Sequence, residues 1–176
     1  MIKMIKKAKI EDLKEVFNIY QICRKELEKN NILMWDDNYP TRDLIQKEIE
    51  AGTIFLIKKR DKIICSFVLS DYLDDLWEPI GWQDNNFLGL HLLAVHPDYQ
   101  RQGYGEKIVK FSENYAKVNS YSSIHLDVLS KNEAALNLYK NKGYKKVGEL
   151  IFDFKPAGFQ EYYCYEKILC TKDEII

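Results

Sequence analysis

An almost unbroken apolar run, Phe87–Val95, limits the fold of this 176-residue chain more than any other segment. A run with so little polar alternation is typical of a strand that is buried on both of its faces. It ends at His96-Pro97, and after a polar loop a helical pattern extends from about Gly103 to Val118. These neighbouring segments predict a central strand that leads through a loop into a helix.

The rest of the chain predicts further strands and helices around this strand. Apolar residues recur at helical spacing from about Glu11 to Asn30, from Pro40 to Gly52 and from Ser130 to about Lys142. Strand patterns occupy Ile2–Ala8, Thr53–Lys58, Lys62–Leu73, Ser123–Val128, Tyr144–Phe154 and Phe159–Leu169, and Asp74–Asn86 is polar and aromatic loop. The order β-α-α-β-β-β-α-β-α-β-β places three strands in succession, which an alternating doubly wound fold does not do. We therefore expect an α/β chain with a mixed sheet and helices on both of its faces.

Sequence signals mark both ends of the last predicted helix. Ser130 and Glu133 fit a capping box, in which the Ser130 hydroxyl accepts the Glu133 amide and the Glu133 side chain reaches back. Gly143 supplies the left-handed residue that commonly ends a helix.

Charge and composition exclude several classes of protein. Lys and Arg total 26 against 27 Asp and Glu, so no net positive field would attract nucleic acid or an anionic membrane. No apolar run approaches the roughly 20 residues that span a bilayer. The cysteines lack CxxC spacing, no His pair has metal-ligand spacing, and no signal-peptide pattern occurs, so we expect free thiols, no metal and a cytoplasmic location. Without repeats or linkers, we expect one domain over residues 1–176, with a short tail at 170–176.

The loop after the apolar run has the features of an anion site. Gly103 and Gly105 stand at the start of the predicted helix, where unpaired amides and the helix dipole attract phosphate oxygens. Arg101 adds a positive charge. A Walker A loop is excluded because no Lys-Ser/Thr pair follows the glycines at the required spacing. A dinucleotide fingerprint is excluded because Ile108 stands where its third glycine belongs.

Two motifs resemble those of the GNAT acetyltransferases. Gln100–Gly105 matches the family signature Gln/Arg-x-x-Gly-x-Gly/Ala, and Leu92–Val95 resembles the strand before it. The element Asn-x-x-Ala-x-x-x-Tyr-x-x-x-Gly-Phe/Tyr is matched by Asn132, Ala135 or Ala134, Tyr139, Gly143 and Tyr144. One helix and one strand separate the motifs, as in the family. The resemblance implies the GNAT fold, a mixed and mostly antiparallel sheet of about seven strands with a splayed central parallel pair.

The resemblance also implies acetyl-CoA as co-substrate and direct transfer of its acetyl group to a primary amine, without an acyl-enzyme. In the family, the pantetheine arm pairs with an exposed strand edge, here Leu93–Val95, whose N–H groups help to polarise the acetyl carbonyl. Asn132 resembles a cofactor-contacting Asn, although its place near a helix start also suits a cap. The implied cofactor-binding residues are Leu93, Ala94, Val95, Gln100, Arg101, Gln102, Gly103, Tyr104, Gly105, Asn132 and Tyr139.

Tyr139 and His91 are the catalytic candidates. By resemblance, the Tyr139 phenol lies beside the thioester sulfur and acts as general acid, although helical spacing alone would make it a core residue. His91 is the candidate general base because an imidazole titrates near neutrality. In a regular strand, His91 also shares a face with Leu93 and Val95. A hydrogen-bonded core histidine is an equally good interpretation, and Glu78 and Tyr39 are alternative bases.

Trp35, Tyr39 and Glu78 are the candidate substrate-binding residues. They belong to two loops that the GNAT fold would place near the acceptor end of its cleft. Aromatic rings with carboxylates nearby suit a cationic amine, whereas ordinary solvated loops are the alternative. The acceptor is a small-molecule or a peptide amine, and a homodimer is left open. The alternative function is a non-catalytic acyl-CoA-binding regulatory module, against which the retention of Tyr139 counts.

Overall fold

The computed structural model describes residues 5–72 and 75–169. The strands are β1 (Lys6–Lys7), β2 (Ile54–Lys59), β3 (Lys62–Ser70), β4 (Phe87–Val95), β5 (Ser123–Leu129), β6 (Lys145–Ile151) and β7 (Glu161–Ile168). The α-helices are α1 (Leu13–Lys29), α2 (Arg42–Glu50), α3 (Tyr104–Val118) and α4 (Glu133–Asn141). Residues 2–4 of the first predicted strand and the predicted tail at 170–176 lie outside the described residues.

The strands form a seven-stranded mixed sheet in the order β1-β2-β3-β4-β5-β7-β6. The β1–β2, β2–β3, β5–β7 and β6–β7 pairs are antiparallel. The β4–β5 pair is parallel and joins Phe87, Leu88 and Gly89 to Ser123, Ile124 and His125. The expected mixed, mostly antiparallel sheet with a central parallel pair is thereby confirmed.

The chain divides into two compact units, the first comprising the described parts of Met1–Leu69 and Leu92–Gly105. Apolar side chains of α1, α2, β2 and β3 form its core, together with Trp35 and Ala94. The β2–β3 turn is built by Arg60 and Asp61, which both have left-handed backbone, at φ 49° and 64°. Two successive left-handed residues match the right-handed twist of a two-residue hairpin. Strands β2 and β3 therefore form an antiparallel hairpin.

The second unit comprises the described parts of Ser70–His91 and Glu106–Ile176. In its sheet, β7 lies between β5 and β6. Helix α4 ends in a Schellman motif, in which Gly143 has φ 81°, the Tyr144 amide donates to the Tyr139 carbonyl (3.1 Å) and the Gly143 amide to that of Lys140 (3.0 Å). The predicted glycine cap is confirmed. No helix in the described part of the chain has the length and apolarity needed to cross a membrane.

The predicted start of α4 is wrong by two residues. The Ser130 amide is committed to β7 through a bond to the Glu161 carbonyl (2.9 Å), so Ser130 lies in the turn before the helix. Asn132 is the N-cap instead, because its Oδ1 accepts the amide of Ala135 (3.2 Å). An Asn side chain at this position satisfies a helix amide that has no partner within the helix.

We expect Asn132→Ala to lower the free energy of unfolding by about 1 kcal/mol, the usual effect of losing a polar N-cap. Urea denaturation followed by circular dichroism measures this change. Ser130→Ala is the matched control and should leave stability nearly unaltered. A capping role for Ser130 would give the opposite ranking of the two variants.

Candidate active site

Leu92 interrupts the regular backbone of β4, because its φ is 49° within a strand that is otherwise extended. Left-handed backbone is unfavourable for a residue with a β-carbon. The predicted shared face of His91, Leu93 and Val95 assumed a regular strand, and this irregularity removes the basis of that prediction. It also changes the direction of the chain at the segment predicted to bind pantetheine.

Side chains hold the carbonyl groups on either side of Leu93-Ala94. The Tyr20 hydroxyl donates to the Leu92 carbonyl at 2.9 Å, and the Cys23 thiol donates to the Val95 carbonyl at 3.3 Å. The Gln100 Nε2 also donates to the Val95 carbonyl, at 3.1 Å. The last residues of β4 are therefore fixed both by α1 and by the loop that follows.

The loop from Gln100 to Gly103 is exposed and has two left-handed residues. Arg101 has φ 57° and Gly103 has φ 79°, after which α3 begins at Tyr104. A β-carbon at Gly103 would meet no heavy atom within 4 Å, so the first turn of α3 opens onto free space. Amides at such a helix start suit a phosphate group, and the open volume is consistent with one binding there.

Three of the predicted loop residues already have structural partners. Gln100 donates to Val95, as described, and the Gln102 Nε2 donates to the Asp98 carbonyl at 2.9 Å. Tyr104 is buried, and its ring packs edge-on against Tyr99, with centroids 6.3 Å apart. These side chains brace the loop, and the Gln100 amide does so as well, because it donates to the Pro97 carbonyl at 3.1 Å.

In the second unit, Tyr139 lies buried on α4. Its ring packs edge-on against Tyr144, with centroids 5.5 Å apart, which is the apolar contact that accompanies a Schellman motif. Burial, with a smaller effect of the Asp127 carboxylate, raises the pKa of Tyr139 above its usual range. The phenol therefore keeps its proton at neutral pH, as a general acid must.

His91 is half-buried and stacks against Trp77, with ring centroids 5.0 Å apart. Trp77 is itself fixed, since its indole N–H donates to Asp127 Oδ2 at 3.0 Å. A β-carbon at Gly89 would lie only 2.4 Å from His91 Nε2. The absence of a side chain at Gly89 therefore creates the space in which the imidazole sits.

His125 is a buried histidine with a structural environment. Its ring is sandwiched between Trp82 and Phe87, at centroid distances of 4.0 and 4.4 Å, and its Nε2 lies 2.9 Å from Glu166 Oε1. Burial lowers the pKa of His125, although Glu166 opposes that shift. Glu166 also accepts the amides of Gln83 and Asp84, so it organises the loop before β4. No sequence pattern singled out Glu166.

The three candidate substrate residues differ in exposure. Trp35 is buried and packs edge-on against Tyr20, with centroids 5.5 Å apart. Tyr39 is 38% exposed, and its carbonyl accepts the amide of Asp36. Glu78 is exposed in the loop before β4. Tyr39 and Glu78 are accessible to a substrate, whereas Trp35 supports the core beneath its loop.

Within residues 5–72 and 75–169, no group of three or more His, Cys, Asp and Glu side chains is arranged to hold a metal ion.

A parallel strand pair within a mostly antiparallel sheet, with a glycine-containing loop after the first of the two strands, is the arrangement expected of the acetyltransferase class that the sequence motifs indicated. The chain matches the model of the acetyltransferase (GNAT) family over residues 13–144, and it belongs to that family. An uncharacterised N-acetyltransferase, YesJ of Bacillus subtilis, is 24% identical over 166 residues, which cover 91% of this chain and 87% of YesJ.

Solved structures share the fold. A GNAT-family acetyltransferase from Streptococcus agalactiae aligns with a TM-score of 0.80 and 17% identity, over 97% of this chain and 99% of that one. The yncA acetyltransferase of Salmonella typhimurium was solved with its cofactor acetyl-CoA. It aligns with a TM-score of 0.70 and 15% identity, over 95% of this chain and 94% of that one. At these identities the likeness establishes the fold.

We expect Gly89→Ala to expel the His91 imidazole from its stack on Trp77, because the new methyl group and the ring cannot occupy the same space. The free energy of unfolding should fall by about 1–3 kcal/mol, as overpacking usually causes. The indole ring current shifts the His91 ring protons in the unaltered protein, and NMR should show that this shift is lost.

Gly81→Ala is the control, since a β-carbon there would meet nothing within 4 Å. Gly81→Ala should alter neither stability nor the His91 resonances. Those resonances are assigned by their loss in His91→Gln. An unchanged ring-current shift in Gly89→Ala would show that the imidazole does not depend on the space above Gly89.

Proposed function

We propose that this chain transfers the acetyl group of acetyl-CoA directly to a primary amine of a small molecule or peptide. The observation that carries the proposal is the end of β4, where an irregular strand edge leads into an exposed glycine loop and the open start of a helix. A backbone edge suits the amides of pantetheine, and a helix start suits a pyrophosphate. Membership of the acetyltransferase (GNAT) family supports both assignments.

In this proposal, the backbone of the loop holds the phosphates. The amides from Arg101 to Gly105 would donate to phosphate oxygens in the open space at Gly103, and the exposed Arg101 guanidinium would add a charge contact. Leu93, Ala94 and Val95 offer their main-chain groups to pantetheine and polarise the acetyl carbonyl. Gln102 and Tyr104 contribute mainly through their backbone, because their side chains brace the loop. Gln100 contributes by fixing the loop, through its bonds to the Val95 and Pro97 carbonyl groups.

The chemical step needs one proton acceptor and one proton donor. The neutral amine nitrogen attacks the thioester carbon, the carbon–sulfur bond breaks, and the thiolate that leaves takes a proton from the Tyr139 phenol. The nitrogen loses its own proton to His91, directly or through a water molecule, with Glu78 and Tyr39 as alternative acceptors. The Tyr139 phenol is protonated at neutral pH, because burial raises its pKa, and it therefore has a proton to give.

Asn132 has two roles in this proposal. Its Oδ1 caps α4, and its amide nitrogen is the group that would contact the cofactor. Tyr39 and Glu78 are the proposed contacts to the acceptor, since a phenol ring and a carboxylate each suit a cationic amine. Trp35 would contribute indirectly, by supporting its loop through its packing on Tyr20.

We also propose a cytoplasmic location. Cys23 and Cys164 are buried free thiols, and free thiols persist in a reducing compartment.

Acetyl-CoA should raise the melting temperature, because a ligand that binds only the folded state adds RT ln(1 + [L]/Kd), about 2.7 kcal/mol at a hundredfold excess over Kd. Thermal melts with millimolar acetyl-CoA measure the shift, and NADH and ATP are the comparison ligands. Gly103→Ala should reduce it strongly, since the new methyl group projects into the space assigned to phosphate. An equal shift with ATP would contradict the assigned cofactor.

Tyr139→Phe should lower kcat by roughly 10- to 1000-fold with little effect on acetyl-CoA affinity, because general-acid assistance is typically worth about 10² to 10⁴ and water replaces part of it. A thiol-release assay with polyamines, amino acids, aminoglycosides and short peptides measures this and identifies the acceptor class. A packing role predicts a different result, in which Phe is nearly neutral in rate and Ala lowers stability by about 3–5 kcal/mol. Acetyl-CoA binding without thiol release on any amine would favour a binding module.

A further inference from the structure

We propose that Tyr20 and Cys23 of α1 are positioning residues that fix the strand edge Leu93–Val95 for acetyl-CoA. The inference rests on the proposed function, since it deepens the role of that edge. Neither side chain is needed to touch the co-substrate. Both act through the main chain of β4, whose carbonyl groups they bind on either side of Leu93-Ala94.

The two donors are placed by helical spacing. Residues three apart on an α-helix lie on the same face, so Tyr20 and Cys23 both point from α1 toward β4. The Tyr20 hydroxyl lies 2.9 Å from the Leu92 carbonyl oxygen, and the Cys23 sulfur lies 3.3 Å from that of Val95. The two acceptors, Leu92 and Val95, are also three residues apart. One face of α1 therefore contacts both ends of the proposed pantetheine edge.

The bond from Tyr20 falls on the least regular residue of the strand. Leu92 is left-handed, at φ 49°, and such a conformation persists in a non-glycine residue only where the surroundings enforce it. Tyr20 is fully buried and its hydroxyl also lies 3.0 Å from the buried Ser66 Oγ. The phenol is thus held between Ser66 and Leu92, which fixes the direction of the Leu92 carbonyl and of the peptide groups after it.

Both donors keep their protons under ordinary conditions. Burial raises the pKa of Tyr20 above its usual range and that of Cys23 to about 12. A thiolate or phenolate in either place would face a carbonyl oxygen without a proton to share. The clamp, defined as the Tyr20–Leu92 and Cys23–Val95 hydrogen bonds, therefore remains formed across the neutral pH range.

The test measures acetyl-CoA affinity and turnover in Tyr20→Phe and Cys23→Ala. Calorimetry gives the Kd of acetyl-CoA, and the thiol-release assay gives KM for acetyl-CoA and for the amine separately. We expect Tyr20→Phe to raise the acetyl-CoA Kd and KM about 3- to 10-fold, the equivalent of one hydrogen bond, with the KM of the amine unchanged. Cys23→Ala should cause a smaller rise in the same two constants, because a thiol is a weaker donor.

Tyr165→Phe and Cys164→Ala are matched controls, because both residues are buried on β7. They should leave the acetyl-CoA constants unaltered even where they lower stability, which separates positioning from general destabilisation. All measurements are made well below the melting temperature of each variant. If Tyr20→Phe does not fold, Ser66→Ala and Cys23→Ala decide the question, since Ser66→Ala removes the partner that holds the phenol.

Unchanged acetyl-CoA Kd and KM in Tyr20→Phe and Cys23→Ala would overturn the clamp while leaving the proposed function intact. Equal rises in the acetyl-CoA and amine constants would also overturn it, because they would indicate a general distortion. A wild-type chain that does not bind acetyl-CoA would overturn both the proposed function and the clamp.

Discussion

The hydrogen bond from Tyr20 to the Leu92 carbonyl is the interaction on which the arrangement of the proposed cofactor edge depends. A leucine in left-handed backbone within a buried strand is unfavourable on its own. Tyr20 and its partner Ser66 are both fully buried, so neither can exchange this bond for one to water. This buried hydrogen bond offsets the unfavourable conformation of Leu92, and β4 then continues into the glycine loop.

Much of this fold follows from residue spacing alone. The apolar run Phe87–Val95 was predicted as a central strand and has those bounds in the structure, because a long apolar segment has few alternatives to burial. The helix from Gly103 to Val118 and the Gly143 cap were also predicted, since glycine and helical periodicity are local signals. The irregularity at Leu92 was not, because the phenol that binds its carbonyl is distant in sequence and leucine carries no signal for left-handed backbone. For the same reason Glu166, which binds backbone amides far from it in the chain, could not be identified.

The start of α4 shows why a local motif alone does not place a helix end. Ser130 and Asn132 are both good N-cap residues, and the sequence pattern favoured Ser130 because of Glu133. The hydrogen bonds of Asn132 decide between them, since its Oδ1 accepts the Ala135 amide and its carbonyl accepts the Leu136 amide, whereas the Ser130 amide pairs with Glu161. The choice belongs to the tertiary structure. It also gives Asn132 a structural function that is independent of any contact with a cofactor.

The motif that ends in Gly143-Tyr144 has a similar double meaning. The Schellman geometry requires a left-handed residue at Gly143 and brings Tyr144 against Tyr139, so the spacing of these three residues is explained by the helix end alone. The motif therefore identifies the family, but it does not by itself establish that Tyr139 is a general acid. What distinguishes Tyr139 from a packing residue is chemical: the aromatic contact needs only its ring, whereas proton donation needs its hydroxyl. A function for Tyr139 in catalysis must therefore be sought in the hydroxyl, since the fold already accounts for the ring.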